Sequence, residues 1–177
     1  MLLPGHIGAS CLAGAACAGV FRRQFLRTGA GARTVALIAL LAGLVPDIDT
    51  LPPLLRLGWD SLGRVATEHR ASILHTPLFA FAAGVVTLAL PVRERWFWAT
   101  VVCAAVFSHL LADSLTIGPG IMWLYPWTDT FYGINLANSR YGTDWGDQWF
   151  WRYIGHPLFL IEVALVAAAA VAVRRVR

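Results

Sequence analysis

An all-α bundle of four to five membrane-crossing helices is the fold this sequence predicts, and three observations predict it. Hydrophobic residues make up 58% of the chain and charged residues only 14%, with a mean hydropathy of +0.62. A soluble domain carries about a quarter charged residues, so this balance points to lipid. The apolar residues gather into five runs separated by arginines, prolines and glycines. Eight tryptophans in 177 residues suit a chain that meets the membrane–water boundary, where the indole settles. The length fits a single membrane-embedded domain over residues 1–177.

The first run, residues 6–21, is rich in Gly and Ala, which let helices approach closely in lipid. It reads as a retained helix, since no positive charge precedes it and Arg22 and Arg23 follow it. The second run, residues 34–45, is extended at its start by the small residues 30–32 and stops at Pro46. About 16 residues span roughly 24 Å, which is short for a full crossing. Residues 48–74 read as irregular and polar. The third run, residues 76–92, ends at Arg93 and Arg95, and the fourth, residues 96–115, carries Ser108, His109, Asp113 and Ser114 in its final turns. A loop over roughly residues 117–155 holds five of the eight tryptophans and reads as an extracytoplasmic collar or lid at the interface. The fifth run, residues 157–173, is closed by Arg174, Arg175 and Arg177.

Tracing the runs up and down sorts the charges. Nine of the fourteen arginines (22, 23, 27, 33, 93, 95, 174, 175 and 177) collect at one end, with Glu94 as the only acid beside them. All five histidines and eight of the ten acids collect at the other. The positive-inside rule places the arginine end and the C-terminus in the cytoplasm, in an inner membrane, and the His/Asp end outside. The net charge of +4 contains no lysine and forms no basic stripe with interleaved aromatics, so nucleic acid is not an expected partner. Cys11, Cys17 and Cys103 are odd in number and sit in apolar runs without a CxxC spacing, so they read as small buried hydrophobes.

The chemistry gathers at the His/Asp end. His109 and Asp113 are four apart on a predicted helix and so share a face. Neutral imidazole and ionised carboxylate both ligate divalent metals. Asp47 and Asp49 follow a helix-ending proline, where a fixed turn presents two carboxylates. His69 and His75 bracket the approach to the third run, and Arg70 beside them suits an anionic group of a substrate. His6 enters from the first run. Ionisable groups in so apolar a chain mark a functional site, and a metal site is expected where three or four histidines, from among His6, His69, His75 and His109, converge with Asp47, Asp49 and Asp113. Asp49, His75 and Arg70 are the expected catalytic residues. His156 before Pro157 reads as a helix cap, and Glu162 as either a support for the site or a pairing group between helices. No GxSxG elbow, phosphate loop or HExxH occurs, so a metal-activated water is the expected nucleophile, with one or two divalent ions, zinc first among them.

In order along the chain, His6, LVPDID at 44–49, EHR at 68–70 with His75 following, and SHLLADSLT at 108–116 resemble the YdjM family. Those proteins are inner-membrane-associated, are classed as metal-dependent hydrolases and are described as LexA-binding. The resemblance covers roughly residues 1–130 and implies the same seven site residues. It also implies a regulatory protein as a partner, while the expected substrate, a phosphoester of a lipid or lipid-linked molecule, follows from a metal-activated water at the outer interface. The spacing leaves open which of His69 and His75 binds the ion directly. More distantly, the chain is similar to the all-helical zinc phospholipase C and P1 nuclease group, although that group's HxxxE motif has no counterpart here. Two other readings remain beside the hydrolase: a divalent-metal carrier or channel, and a membrane anchor for another protein.

Overall fold

A computed structural model describes residues 3–57, 69–115, 120–134 and 154–176, with the backbone alone for Leu54, Leu57 and His69. Seven α-helices run through those residues: α1 (Leu3–Val20), α2 (Arg22–Thr28), α3 (Ala32–Leu44), α4 (Leu51–Leu57), α5 (Pro77–Ala89), α6 (Arg95–Leu115) and α7 (Pro157–Arg175). Short 3-10 turns at Pro46–Thr50, His69–Ala71 and Ile73–His75 link them. No strand occurs among the described residues beyond one isolated bridge, Ile121 with Tyr132. The fold is all-α.

Three helices, α1, α6 and α7, are each long and apolar enough to cross a membrane. The pair α2–α3, bent by 99°, brings the number to four, and α5 is a shorter apolar helix. Two stretches expected as connections are helical, for local reasons. Arginine is a good helix former, and α2 fixes itself to the bundle through Phe25, whose ring lies 6.0 Å from that of Phe97. Gly29, at φ 72°, then ends α2 in the left-handed conformation that glycine adopts without strain. Helix α4 carries Pro52 and Pro53 in its first turn, where a missing N–H costs nothing.

Helix α1 lies at the centre, packed against α3, α6 and α7, and α5 packs on α6. Small residues make this closeness feasible. A Cβ on Gly8 would stand 2.7 Å from the Leu165 backbone, one on Gly14 would stand 2.7 Å from Ala39, and one on Gly43 would collide with Ser10. One core cluster joins Phe25, Val35, Ala39, Phe97, Val101 and Ala105, and a second joins Ala80, Val106, Leu110 and Ile121. The outer surface reverses the pattern of a soluble protein. Leu37, Leu41, Phe81, Val85, Val86, Leu160 and Val163 are exposed, while His6, His75, His109, Asp113 and Glu162 are buried. An apolar shell around a polar interior is what a lipid solvent selects.

Helices α3 and α5 have 13 residues each. Each is therefore about 20 Å long, against a hydrocarbon thickness of about 30 Å. The C-terminus of α3 and the N-terminus of α5 both open onto the His/Asp end.

Candidate metal centre

Five segments deliver the polar groups, and local chemistry fixes each one. His109 and Asp113 stand one turn apart in α6, both fully or nearly buried. Asp47 comes from the 3-10 turn after α3. Pro46 starts that turn, and Thr50 Oγ1 donates to the Asp47 carbonyl at 2.6 Å, so the chain cannot unwind without losing a hydrogen bond. His75 ends a second 3-10 turn framed by two caps. The Ser72 hydroxyl accepts from Leu74 N–H at 3.3 Å, while Thr76 Oγ1 accepts from Phe79 N–H at 3.4 Å and donates to the Ile73 carbonyl at 2.7 Å. With Thr76 as N-cap and Pro77 next, α5 starts immediately after the histidine. His6 projects from the first turns of α1, its ring stacked on that of His109 with centroids 3.8 Å apart.

The separations within the cluster are informative. His109 Nε2 lies 3.3 Å from His75 Nε2, 3.5 Å from Asp47 Oδ1 and 3.5 Å from Asp113 Oδ2. His75 Nε2 lies 3.5 Å from Asp47 Oδ1 and 3.7 Å from Asp113 Oδ2. Good hydrogen bonds to these atoms would be about 2.7–3.2 Å long, so most of these pairs are too far apart to be bonded to one another. Four N and O ligands placed tetrahedrally about 2.0–2.2 Å from an ion stand about 3.3–3.6 Å apart along each edge. Five of the six edges of the His75, His109, Asp47 and Asp113 set fall on or within about a tenth of an ångström of that range. Two imidazoles and two carboxylates are also a donor set that divalent zinc accepts.

His6 belongs to the same cluster in a different way. With Asp47, His109 and Asp113 it offers ligand atoms that all lie within 4.8 Å of one another. Its Nε2, however, approaches the other oxygen of Asp113, Oδ1, at 3.4 Å. With separations of 3.3, 3.5 and 3.7 Å to the other three, His75 also fits as a fourth ligand, with His6 alongside. Asp113 thus divides its oxygens: Oδ2 faces His75 and His109, and Oδ1 faces His6 and Arg70. The Arg70 bond to Oδ1 is a true charge-assisted contact at 2.8 Å, and a second guanidinium nitrogen donates to the Asp113 carbonyl at 3.3 Å. Asp49 stands behind His75, its Oδ2 3.8 Å from Nδ1, on the far side of the ring from the cluster.

Of the residues expected at the site, His6, Asp47, Asp49, Arg70, His75, His109 and Asp113 meet in one place. The His69 side chain lies outside the described residues, and its backbone shares the turn of Arg70. His156 caps α7 by accepting the Leu158 N–H at its Nδ1, 3.1 Å away. The serines near the histidines are all engaged elsewhere. Ser72 caps a turn, Ser108 donates to Ala105, and Ser114 links Leu110 to the indole N–H of Trp123. Much of the tryptophan-rich loop, residues 135–153, also lies outside the described residues, but residues 120–134 fold back onto the end of α6. There Ile134 N–H donates to the Ser114 carbonyl at 2.7 Å. The caps at Ser72 and Thr76 match the S-x-x-x-T-P pattern before an apolar run, in which a hydroxyl precedes the helix and a proline opens it.

A family profile described as YdjM inner membrane protein matches residues 1–176. Inner membrane protein YbcI of Escherichia coli (strain K12) is 30% identical, across 70% of this chain and 82% of its own length. No solved structure matches.

Proposed function

Because the chain belongs to the YdjM family of inner membrane proteins, we propose that it is a membrane-bound, metal-dependent hydrolase acting on a phosphoester of a lipid or lipid-linked substrate. One observation carries the reading: five separations among the ligand atoms of His75, His109, Asp47 and Asp113 match tetrahedral edges, and only one of the four residues opens to solvent. The Asp47 side chain is 27% exposed, against 0% for both histidines and 1% for Asp113. Three buried donors fix an ion, and the exposed one marks the position where access, exchange and chemistry meet. An ion held by four protein ligands is structural, whereas a catalytic one keeps a position for water. In this reading Asp47, the exposed member, yields its position to water, or the ion takes water as a fifth ligand.

When bound there, a divalent ion supplies Lewis acidity and an acidified water. The protein's own groups do the rest. Arg70 offsets the charge of Asp113 and aims its carboxylate, since a carboxylate buried this deeply needs a cation beside it. It also fills the place beside Asp113 Oδ1 that a second ion would need, so the reading is of one ion, with zinc the first choice. Asp49 behind His75 sets which ring nitrogen faces inward, the usual task of a carboxylate next to a ligand histidine. The arginine-rich end faces the cytoplasm, and the site faces outward, where headgroups of the opposite leaflet reach it.

The test is metal analysis of the purified protein alongside a His109→Ala, Asp113→Ala variant, followed by hydrolysis assays on phospholipid and polyprenyl-phosphate vesicles. Wild type carrying one zinc per chain and releasing a phosphorylated headgroup or phosphate, with the variant metal-free and inactive, is the expected result. A variant that keeps the same metal overturns the site. A metal-loaded protein that hydrolyses nothing but moves zinc across vesicles turns the reading to transport, which the confinement of all ligands to one end disfavours.

A further inference from the structure

Helix α7 gives no ligand to the cluster, yet it buries a carboxylate beside it. Glu162 is 0% exposed and stands in the second turn of α7. Its Oε2 accepts the backbone N–H of Gly5 at 3.3 Å, across 157 residues of sequence. Gly5 lies in the first turn of α1, where N–H groups have no partner within the helix and the dipole favours an anion. Pro4 beside it has no N–H to offer, which concentrates the demand on Gly5 and its neighbours. One turn further along, the same two helices meet at Gly8, where a Cβ would stand 2.7 Å from the Leu165 carbonyl carbon. Glu162 and Leu165 are three apart on α7, and Gly5 and Gly8 are three apart on α1. The two contacts therefore form a two-point lock on one turn of each helix. The residue held between those points is His6, whose ring covers His109 and whose Nε2 meets Asp113.

We propose that Glu162 is a positioning residue: by capping α1 at Gly5 it sets the height of His6 against the His109–Asp113 pair and so ties α7 to the metal centre. A carboxylate in the lipid-embedded part of a helix is costly. It is retained here because an unpartnered helix N-terminus at the same depth would be costly too. A glutamine keeps a carbonyl oxygen able to accept the same N–H. A leucine keeps the bulk and loses the acceptor.

The experiment uses the full chain in nanodiscs with two readouts. The first is zinc affinity by competition titration, and it alone rests on the metal reading above. The second is diethylpyrocarbonate modification of His6, read by mass spectrometry, which needs no metal. Glu162→Leu is expected to weaken zinc binding up to about 10-fold, the low end of the effect of removing a group that supports a ligand, because His6 steadies the ligand Asp113, and to open His6 to modification. Glu162→Gln is expected to stay close to wild type in both. In a His6→Ala background, Glu162→Leu should cost nothing further, because its effect passes through the ring that is already missing. Wild-type behaviour of Glu162→Leu, or a penalty that adds in full to that of His6→Ala, overturns the proposal. Should the leucine variant not fold, Glu162→Asp decides. Its carboxylate, withdrawn by one methylene, must likewise weaken zinc and expose His6, and an unchanged protein overturns the idea. Should wild type bind no zinc, the hydrolase reading falls while His6 modification still judges the lock.

Discussion

Asp113 is the residue on which the centre turns, because it satisfies two different demands at once. One oxygen is hydrogen-bonded to Arg70 at 2.8 Å, and the other completes a tetrahedral edge with His109 at 3.5 Å. Replacing it with asparagine removes the charge from both. Arg70, 4% exposed, then loses a buried charge-assisted partner, and breaking such a pair costs about 3–5 kcal/mol. Asp113→Asn should therefore lose zinc and unfold at markedly lower denaturant, with both changes visible in one preparation by metal analysis and chemical denaturation. Asp49→Asn tests the opposite case. Among the described residues Asp49 approaches the site through the outer nitrogen of His75, 3.8 Å away, so zinc affinity should fall about 10–100-fold while unfolding barely moves. Equal stability losses in the two variants would contradict the separate roles assigned to the two carboxylates.

At the scale of elements, the site is made where regular structure stops. Asp47 follows the end of α3 and His75 precedes the start of α5, so the caps at those ends act as site residues without touching the ion. Thr76→Ala removes an N-cap and should cost about 1 kcal/mol, read as a lower melting temperature. Thr76→Ser, which keeps the hydroxyl, should restore it. Five apolar runs were legible in the sequence, with ends within a few residues of α1, α3, α5, α6 and α7, since hydropathy directly reports what a helix must present to lipid. Helices α2 and α4 were not legible. In α2 the arginines look like a loop by charge, and the helix depends on Phe25 reaching Phe97 on α6, a contact no local window contains. In α4 the two prolines read as breakers, although the first turn of a helix tolerates them.

Across the whole molecule, the convergence of His6, Asp47, His75, His109 and Asp113 was legible because alternating runs bring every second boundary to the same end. Their division of labour was not. Which oxygen of Asp113 faces Arg70, and which nitrogen of His75 faces Asp49, depends on side-chain angles set by packing that spacing in a sequence does not encode. The same alternation predicts orientation: a reporter active only in the cytoplasm, fused after Arg177, should report, and one active only outside should stay silent. The reverse result would turn the site toward the cytoplasm and reassign its substrate to that leaflet.

The two 13-residue helices have one more effect. Struts about a third shorter than the slab they stand in oblige the surrounding bilayer to thin or the bundle to tilt. Asp47 and His75 sit in the turns that adjoin those two helices, so a thicker host membrane draws them further from bulk water. Bilayer thickness then becomes a throttle: lengthening the acyl chains of the host membrane should slow zinc stripping by a water-borne chelator, and shortening them should quicken it.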